Sequence, residues 1–520
     1  MSRACYKIKG GDFERGGTAA SGLKEALKRI GAEPAAIRRA VIAAYEAEMN
    51  VVIHAHSALM CVRMHNHQVD VEVDDRGPGI PDIELAMRDG YSTAPPAIRE
   101  LGFGAGMGLP NIRKNSDAFS IESTVGHGTR VRFSVTMRQR EGVRWERNSL
   151  RIVGEACTHC LRCLQACPTR AVRVHRDGPQ VLSHLCTDCT NCARACPSGA
   201  ITVDVPDALP ARPTGTIIVP VAFMVQFGDS ATPEDVVDAL REIGFGQVVV
   251  ASAARRALRE ACLEWASREA AARPVISPTC PAVVNLIQVR FPSLIPHVAP
   301  FLPPLEAVVH STRGEGWFIP LCPAHCTAVA GAAAPSLRLT SPAAVRRALS
   351  PILARTAGPA PAPRWAAPPH EAPSPDVLQI AGMHHVMRLL DGIETGLYGD
   401  LTLVEPYACE LGCFGSPLLW EDPFVARHRW LHVADSFRAR AAAVPRPRAL
   451  EPREGVRLDP DMDRAIAKLA QIEELARSLP GRNCGACGAP DCTTFAEDVV
   501  LGRATINGCH NYVAPREDAE

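Results

Sequence analysis

The sequence contains one four-cysteine pattern twice. The segment CTHCLRCLQACP begins at Cys157, and the segment CTDCTNCARACP begins at Cys186. Each reads Cys-x2-Cys-x2-Cys-x3-Cys-Pro, and thiolates at this spacing can wrap a short loop around one iron–sulfur cubane. Zinc is the alternative, but its sites usually take two separated pairs of ligands. The repeat therefore predicts a small fold built around two metal clusters.

This stretch resembles the bacterial two-cluster ferredoxins. In that family the fourth cysteine of each copy completes the other cluster, so two clusters share ligands across a pseudo-two-fold axis. The resemblance implies two 4Fe–4S clusters close enough to exchange electrons. The first ligand set would be Cys157, Cys160, Cys163 and Cys196, and the second Cys186, Cys189, Cys192 and Cys167.

Composition narrows the class of protein. The chain has 520 residues, 47% of them hydrophobic, which is enough for about three or four domains. A formal net charge of +0 offers no basic surplus for nucleic acid. The N-terminal segment lacks the apolar core of a signal peptide, and the longest apolar run, from Ile217, is too short to span a bilayer. We therefore predict a cytoplasmic protein with no membrane span and no nucleic-acid partner.

The number of cysteines points to metal chemistry. In a reducing cytosol the 20 cysteines are expected to be metal ligands or nucleophiles rather than disulfides. Sixteen of them fall into ligand-like groups. Plain thiols are expected at the other four positions, Cys5, Cys61, Cys262 and Cys326.

A further cysteine group ends the chain, with the spacing Cys484-x2-Cys487-x4-Cys492-x16-Cys509. Glycines let the backbone turn tightly here, and a helix from about Thr493 would return the chain to the last ligand. The group resembles a small 4Fe–4S domain that occurs in Rnf-type electron-transport complexes, in their B component, and in corrinoid iron–sulfur proteins. Zinc is again the alternative.

A helix is predicted just before this group. Asp459 is the expected N-cap, with Pro460 in the first turn. Pro480 and Gly481 would end the helix. Its apolar residues recur at helical spacing and are expected to form core, namely Ile466, Leu469, Ile472, Leu475 and Leu479.

Four scattered cysteines lie in the long middle block. Cys280 and Cys322 each precede a proline at the end of an apolar run, and Cys409 and Cys413 follow the run LTLVE. Three strand ends that deliver four thiolates to one point would form a buried cluster cage. The block from about 217 to 435 resembles the C-terminal domain of the [FeFe]-hydrogenase large chain, especially its divergent sensory branch. The resemblance implies a 4Fe–4S cluster on these four cysteines, with Cys413 also bridging to a di-iron unit.

The block departs from the hydrogenase pattern at three points. Thr279 stands where the family has a proton-relaying cysteine, and an alcohol passes protons far less readily near neutral pH. His325 replaces a lysine, and Tyr407 replaces a methionine, whereas Glu405 is kept. We therefore expect a cubane alone or a modified di-iron site, and poor hydrogen turnover.

The N-terminal block carries four elements in order. A helix places Glu46 and Asn50 on one face, and an alternating strand ends in Asp75-x-Gly77-x-Gly79. A glycine-rich segment then precedes a helix, where backbone amides can cradle phosphate. A hairpin with Thr129 closes the block. The glycines of the segment are Gly102, Gly104, Gly106 and Gly108.

Over residues 20–136 this order resembles the GHKL ATP-binding fold, in the branch of the bacterial anti-sigma-factor serine kinases. The resemblance implies that Asn50 helps to hold magnesium and that Glu46 is the candidate general base. Asp75 would read the adenine amino group. Gly104, Gly106 and Gly108 would line the triphosphate under a lid at about 89–103. A phospho-acceptor histidine helix is not evident in the sequence upstream of the block, so an autophosphorylating histidine kinase is not expected.

The predicted fold class is multidomain α/β and α+β. We predict a GHKL α/β sandwich, a ferredoxin-like two-cluster domain, a hydrogenase-like α/β domain and a small helical 4Fe–4S domain. Their boundaries are 1–140, 148–206, 215–440 and 456–515.

Three functions compete. The first is a redox-responsive signalling ATPase or serine kinase with about four 4Fe–4S clusters and ATP with magnesium. Its partner would be anti-anti-sigma-like or a phosphatase, and the chain could form a homodimer. The second is an ATP-gated electron donor to a redox partner or client enzyme. The third is a true hydrogenase with a regulatory ATP domain, against which Thr279 argues.

Overall fold

A computed structural model describes most of the chain in two separate compact units. The first unit comprises residues 1–143, 454–487 and 491–520, and the second comprises 144–453 and 488–490. The described residues are 2–95, 104, 106–140, 142–143, 145, 148–228, 231–268, 271–331, 337–356, 376–433 and 447–512. Outside them lie residues 96–103 of the expected lid, which include Gly102, and most of the Pro/Ala-rich stretch after Arg355.

The first unit is built on an antiparallel sheet of five strands in the order β1-β2-β3-β5-β4. Its central strand β3 alternates as the sequence predicts, since Val69, Val71 and Val73 are all buried. The long helix α2 buries an alanine-rich face. The elements are β1 (Ser2–Lys9), α1 (Thr18–Arg29), α2 (Pro34–His54), β2 (Ser57–His65), β3 (Gln68–Arg76), α3 (Ile83–Ala86), α4 (Gly108–Lys114), β4 (Ala118–Thr124) and β5 (Gly128–Thr136).

Two cysteines of this sheet differ from the expectation of plain thiols. Cys5 on β1 lies directly opposite Cys61 on β2, and the two form a disulfide. Strand register brings them together, because residues paired across antiparallel strands have neighbouring side chains. The expectation was wrong for this pair, whereas Cys262 and Cys326 are buried free thiols.

The C-terminal segment of the first unit forms two helices, α16 (Met462–Ser478) and α17 (Cys492–Val500). Helix α16 begins two residues later than predicted: Asp461 is its N-cap and accepts a hydrogen bond from the Arg464 amide at 2.9 Å. Asp459 instead pairs with Lys468 at 2.8 Å. Four of the five residues predicted to form core are buried, namely Ile466, Leu469, Ile472 and Leu479, whereas Leu475 is partly exposed.

The ferredoxin-like part of the second unit repeats its backbone conformation as well as its cysteines. His159 and Leu161 in the first copy have left-handed φ values of 51° and 60°, and Asp188 and Thr190 in the second have 57° and 67°. The elements are β6 (Leu150–Ile152), α5 (Arg162–Ala166), β7 (Val172–His175), β8 (Gly178–Val181), α6 (Asn191–Ala195) and β9 (Ile201–Val203). Strand β6 pairs with β9, and β7 pairs with β8.

The rest of the second unit holds two parallel sheets with helices packed on them. The elements of the first half are β10 (Thr216–Val219), α7 (Val221–Met224), α8 (Pro233–Glu242), β11 (Gln247–Val250), α9 (Ser252–Ala266), β12 (Val275–Ile276), α10 (Pro281–Arg290) and α11 (Pro304–Ser311). Those of the second half are β13 (Gly316–Phe318), α12 (Pro323–Gly331), β14 (Leu337–Leu339), α13 (Pro342–Thr356), β15 (Val377–Ala381), α14 (Met383–Glu394), β16 (Leu403–Tyr407) and α15 (Pro423–Val433). One sheet has the order β11-β10-β13-β14 and the other β12-β16-β15. Among the residues described, no helix combines the length and the apolar character needed to cross a membrane.

Candidate nucleotide and iron–sulfur sites

Helix α2 places two predicted ATP-site residues beside the start of α4. The Asn111 side-chain amide donates a hydrogen bond to Glu46 Oε1 at 2.7 Å. Asn50 Oδ1 lies so close to Gly108 that a Cβ at that glycine would be 2.8 Å from it. Glu46, Asn50 and Gly108 therefore lie together, as the sequence predicts, whereas Asn111 was not predicted to take part.

Asp75 lies at the end of β3, half-buried. Its Oδ1 accepts a hydrogen bond from the Thr129 backbone amide at 3.1 Å. Burial raises the pKa of Asp75, and the Thr129 amide opposes that rise. Gly77 lies against this carboxylate, because a Cβ there would be 3.0 Å from Asp75 Oδ1. A carboxylate held in this way has its other oxygen available to accept from an amino group.

Two residues of the glycine-rich segment have backbone conformations that favour glycine. Gly104 and Gly106 have φ values of 75° and 78°. A Cβ at Gly106 would lie 2.4 Å from the carbonyl carbon of Gly90, and the Gly90 amide donates to the Gly106 carbonyl at 3.0 Å. The start of the expected lid is therefore packed on this segment. Gly79 is also left-handed, at 71°, and lies against Thr124.

The ferredoxin-like cysteines group as the repeat predicts. Burial raises the pKa of Cys163 to about 11, and the nearby Cys196, Cys157 and Cys160 add to that rise. In the second group, burial raises the pKa of Cys189 to about 12, with Cys167 as the next cause. Burial also raises the pKa of Cys192, and the nearby Cys189 and Cys167 add to that rise. Cys196 thus lies near Cys163 of the first copy, and Cys167 lies near Cys189 and Cys192 of the second, while the full ligand sets stay predictions.

The four scattered cysteines of the middle block line one cavity. Cys280 caps α10 after β12, Cys322 precedes α12, and Cys409 and Cys413 follow β16. Burial raises the pKa of all four thiols, that of Cys413 to about 12. Four soft donors around one space fit a metal cluster, since a metal replaces the protons that these thiols would otherwise retain.

The residues that depart from the hydrogenase pattern lie around this cavity. The Thr279 hydroxyl and the Tyr407 hydroxyl are 3.3 Å apart, and the Arg255 guanidinium lies 5.2 Å from the centre of the Tyr407 ring. Glu405 is 1% exposed and accepts two hydrogen bonds from Arg259, at 2.8 and 2.6 Å. Its carboxylate is therefore fully engaged by a bidentate partner.

His325 is buried beside Cys322 and is neutral. Its Nδ1 accepts a hydrogen bond from the Leu321 amide at 3.2 Å, so any proton on the ring is on Nε2. Burial lowers the pKa of His325 to about 4. A lysine at this position would carry a charge that this histidine does not.

The second ferredoxin group adjoins the cavity of the middle block. The Thr190 hydroxyl lies 3.9 Å from Cys409 Sγ. Asp188 and Cys189 line the cavity together with Cys280 and Cys409. The two cysteine groups thus lie next to each other, a relation that their separation in the sequence does not reveal.

The C-terminal cysteines line a second cavity, in the first unit. Helix α17 begins at Cys492, one residue before the prediction, and Asp491 caps it by accepting from the Thr494 amide at 2.7 Å. Asn483 Oδ1 accepts from the Cys492 amide at 3.0 Å. The cavity brings together Cys484, Cys487, Cys492 and Cys509.

Four family models match separate parts of the chain. Residues 12–135 match a histidine kinase-like ATPase domain, and residues 149–208 match a 4Fe-4S dicluster domain. Residues 216–314 match the C-terminal domain of the iron-only hydrogenase large subunit, a stretch that includes Cys280 but not the other three cysteines of that cavity. Residues 479–510 match an Fe-S cluster family.

Curated relatives match over short stretches. The serine/threonine-protein kinase RsbT of Bacillus subtilis is 43% identical over 58 residues, 11% of this chain and 38% of that protein. The anti-sigma F factor of Caldanaerobacter subterraneus is 34% identical, over 17% of this chain and 62% of that protein. The B component of the ion-translocating oxidoreductase complex of Rhodobacter capsulatus is 50% identical, over 7% of this chain and 20% of that protein. The chain thus spans less than two thirds of each of these relatives.

Among solved structures, an apo [FeFe]-hydrogenase HydA1 variant from Chlamydomonas reinhardtii aligns with a TM-score of 0.32 and 15% identity, over 51% of this chain and 90% of that one. The family matches confirm the predicted fold class. The chain combines a GHKL-like ATPase domain with ferredoxin-like, Fe–S and hydrogenase-like domains. It has the features of an ATP-binding iron–sulfur protein.

Proposed function

We propose that this protein is a redox-responsive signalling ATPase or serine kinase, whose C-terminal cluster controls its nucleotide site. Cys484, Cys487, Cys492 and Cys509 would hold a 4Fe–4S cluster. Asn50 would help to hold magnesium, Glu46 would be the general base, and Asp75 would bind the adenine amino group. Gly104, Gly106 and Gly108 would approach the phosphates.

One observation supports this proposal above the others. The C-terminal cysteine group and the ATPase domain belong to the same compact unit. Glu497 on α17, the helix that begins at Cys492, lies 3.9 Å from Arg29 on α1. The side chains are only 7% and 15% exposed, so water screens this contact little. A change in charge at the C-terminal cysteine group can therefore act on α1 through the contact between Glu497 and Arg29.

A second route runs from α16 to the nucleotide helix. Glu473 on α16 accepts a hydrogen bond from the Ser2 hydroxyl on β1 at 3.0 Å. Burial raises the pKa of Tyr6 on β1, and the charges of Glu473 and Glu48 add to the rise. Glu48 on α2 in turn accepts from the Ala19 and Ala20 amides in the first turn of α1, at 3.1 and 3.0 Å. It lies two residues from both Glu46 and Asn50.

The test compares the full-length protein, purified without oxygen, in its oxidised and dithionite-reduced states. We expect ATP turnover to differ by about 5-fold or more, because coupling between two sites is typically worth about 1–3 kcal/mol. Equal turnover and equal nucleotide affinity in the two states would contradict the proposal.

A second candidate is an ATP-gated electron donor to a client enzyme. It is favoured by the contact between the second ferredoxin group and the middle cavity, where Thr190 and Cys409 are 3.9 Å apart. Clusters held by these two neighbouring cysteine groups would be close enough to exchange electrons. The same preparation distinguishes the candidates, since a donor would change its rate of cluster oxidation when ATP is added.

The occupant of the middle cavity is a separate proposal. We propose a 4Fe–4S cubane there without an active di-iron unit, since neutral His325 and the Thr279–Tyr407 pair replace the groups used for hydrogen chemistry. Protein produced with the hydrogenase maturation machinery should show no infrared bands in the carbon monoxide and cyanide region. It should contain about sixteen irons per chain, for four cubanes. Bands in that region would establish a modified di-iron site at Cys413 and contradict this proposal.

The partners of this protein are proposed from its separate domains. A signalling partner of the anti-anti-sigma or phosphatase type fits a domain related to anti-sigma factors and RsbT. A redox partner fits the ferredoxin-like clusters. A homodimer is proposed from the anti-sigma resemblance.

A further inference from the structure

Arg453 is an unusual side chain in the second unit, because it is both charged and buried. It is 2% exposed, and its Nε and Nη1 have no hydrogen-bond partner among the described residues. Burial lowers its pKa only to about 10, so the guanidinium is charged at neutral pH. A buried charge of this kind is costly unless negative charge lies nearby.

The surroundings of Arg453 fix its position beside the second ferredoxin group. Its Nη2 donates to the Ser183 carbonyl at 3.3 Å, and the Cys186 backbone amide donates to the same oxygen at 3.1 Å. The guanidinium also stacks over the Trp145 ring, 4.5 Å from its centre. The Arg453 amide donates to the Gln288 carbonyl at 3.1 Å. Both ends of this residue are therefore held in place.

The nearby negative groups do not satisfy the guanidinium fully. Cys186 and Asp188 are the two groups that act to raise the pKa of Arg453. Asp188 is itself 1% exposed, and its carboxylate lies 3.6 Å from Cys186 Sγ and 3.4 Å from the Thr327 hydroxyl. The two unpartnered nitrogens of Arg453 thus leave donor capacity beside a cysteine group that would carry net negative charge once a cluster is bound.

We propose that Arg453 raises the reduction potential of the cluster bound by the second ferredoxin group. The inference rests on a cluster being present there, but not on the proposed signalling function. A 4Fe–4S cluster with four thiolates becomes more negative when it gains an electron. A fixed positive charge in a buried site stabilises the reduced form more than the oxidised form, because net charge, hydrogen bonds to sulfur and exposure set these potentials. Arg453 acts on the cluster through its fixed positive charge and is not one of the cluster's ligands.

The experiment is a redox titration of the full-length protein followed by electron paramagnetic resonance. Arg453→Gln removes the charge, and Arg453→Lys keeps it. Arg448→Gln is the matched control, because Arg448 also lies between α15 and α16 but pairs with Glu306 at 3.0 Å. Cys189→Ser identifies which titrating component belongs to the second ferredoxin group. Iron content is measured first for every variant.

We expect Arg453→Gln to lower the midpoint potential of that one component. The reduced-to-oxidised ratio at a fixed potential should fall about tenfold or more, equivalent to about 59 mV for one electron. Arg453→Lys should shift it much less, and Arg448→Gln should leave it unchanged. If Arg453→Gln does not retain its iron, Arg453→Met is titrated instead, since an apolar side chain fills the buried space without an unpaired amide.

Three results would overturn the proposal. The first is an unchanged midpoint in an iron-replete variant without the charge. The second is a shift in a component that Cys189→Ser does not affect. The third is an equal shift in Arg453→Lys, which would assign the effect to packing rather than to charge. A protein without iron at the second ferredoxin group would also remove the basis of the inference, whatever its ATP turnover.

Discussion

Asp75→Asn should weaken ATP binding about 100-fold. Hydrogen bonds to charged groups contribute about 1.5–3 kcal/mol, and each 1.4 kcal/mol is a factor of about ten in affinity. The substitution preserves shape, and the new amide oxygen can still accept from the Thr129 backbone amide, which donates to Asp75 at 3.1 Å. The fold should therefore survive while the proposed acceptor for the adenine amino group loses its charge. Isothermal titration calorimetry with ATP on the full-length protein measures the effect.

Asp74→Asn is the matched control. Asp74 is the adjacent carboxylate on β3, but its side chain is 50% exposed and pairs with Arg130 at 2.7 Å. An exposed ion pair contributes little, so this variant should bind ATP as the wild type does. The role of Asp75 would be refuted if both variants lost affinity equally, or if Asp75→Asn kept wild-type affinity.

The pH dependence of the wild type gives a further check on the same residue. The form of Asp75 that accepts from the adenine amino group is the carboxylate. Because burial raises its pKa, affinity should begin to fall at a higher pH than for an ordinary aspartate as the solution is acidified. Asp75→Asn should not show this component of the pH profile.

Local pattern explains why so much of these sites could be predicted. The cysteine repeat carries its own geometry, since left-handed residues recur at equivalent positions in both copies, at His159 and Asp188. The alternation of Val69, Val71 and Val73 identifies β3 because one face of a sheet strand is buried. The cavity of Cys280, Cys322, Cys409 and Cys413 could be anticipated because each cysteine follows an apolar strand.

The features that escaped prediction depend on contacts between distant segments. The Cys5–Cys61 disulfide follows from the register of β1 on β2, which no local pattern specifies. Arg453 contacts Ser183 across 270 residues, and no local sequence pattern around it gives a sign of burial. The start of α16 was misplaced because Asp459 and Asp461 are both acceptable N-caps, and the ion pair of Asp459 with Lys468 decides between them. The domain boundaries and the roles of the site residues stay predictions.

Cys487→Ser should abolish the response of ATP turnover to the redox state. It removes one of the four thiols that line the C-terminal cavity, so the proposed cluster should be lost, and about four irons per chain with it. The Glu497–Arg29 and Glu473–Ser2 contacts, which would transmit the change, lie in the same unit as the nucleotide site. The difference of about 5-fold or more expected for the wild type should then disappear.

Cys413→Ser provides the matched control for this result. It also removes one thiol of a four-cysteine cavity, but that cavity belongs to the second unit. Iron should again fall by about four per chain, while the redox response of ATP turnover should persist. ATP affinity in one fixed redox state serves as the test that Cys487→Ser leaves the nucleotide site folded. If Cys413→Ser removed the response and Cys487→Ser kept it, control would lie with the hydrogenase-like cavity, and the proposed role of the C-terminal cluster would be wrong.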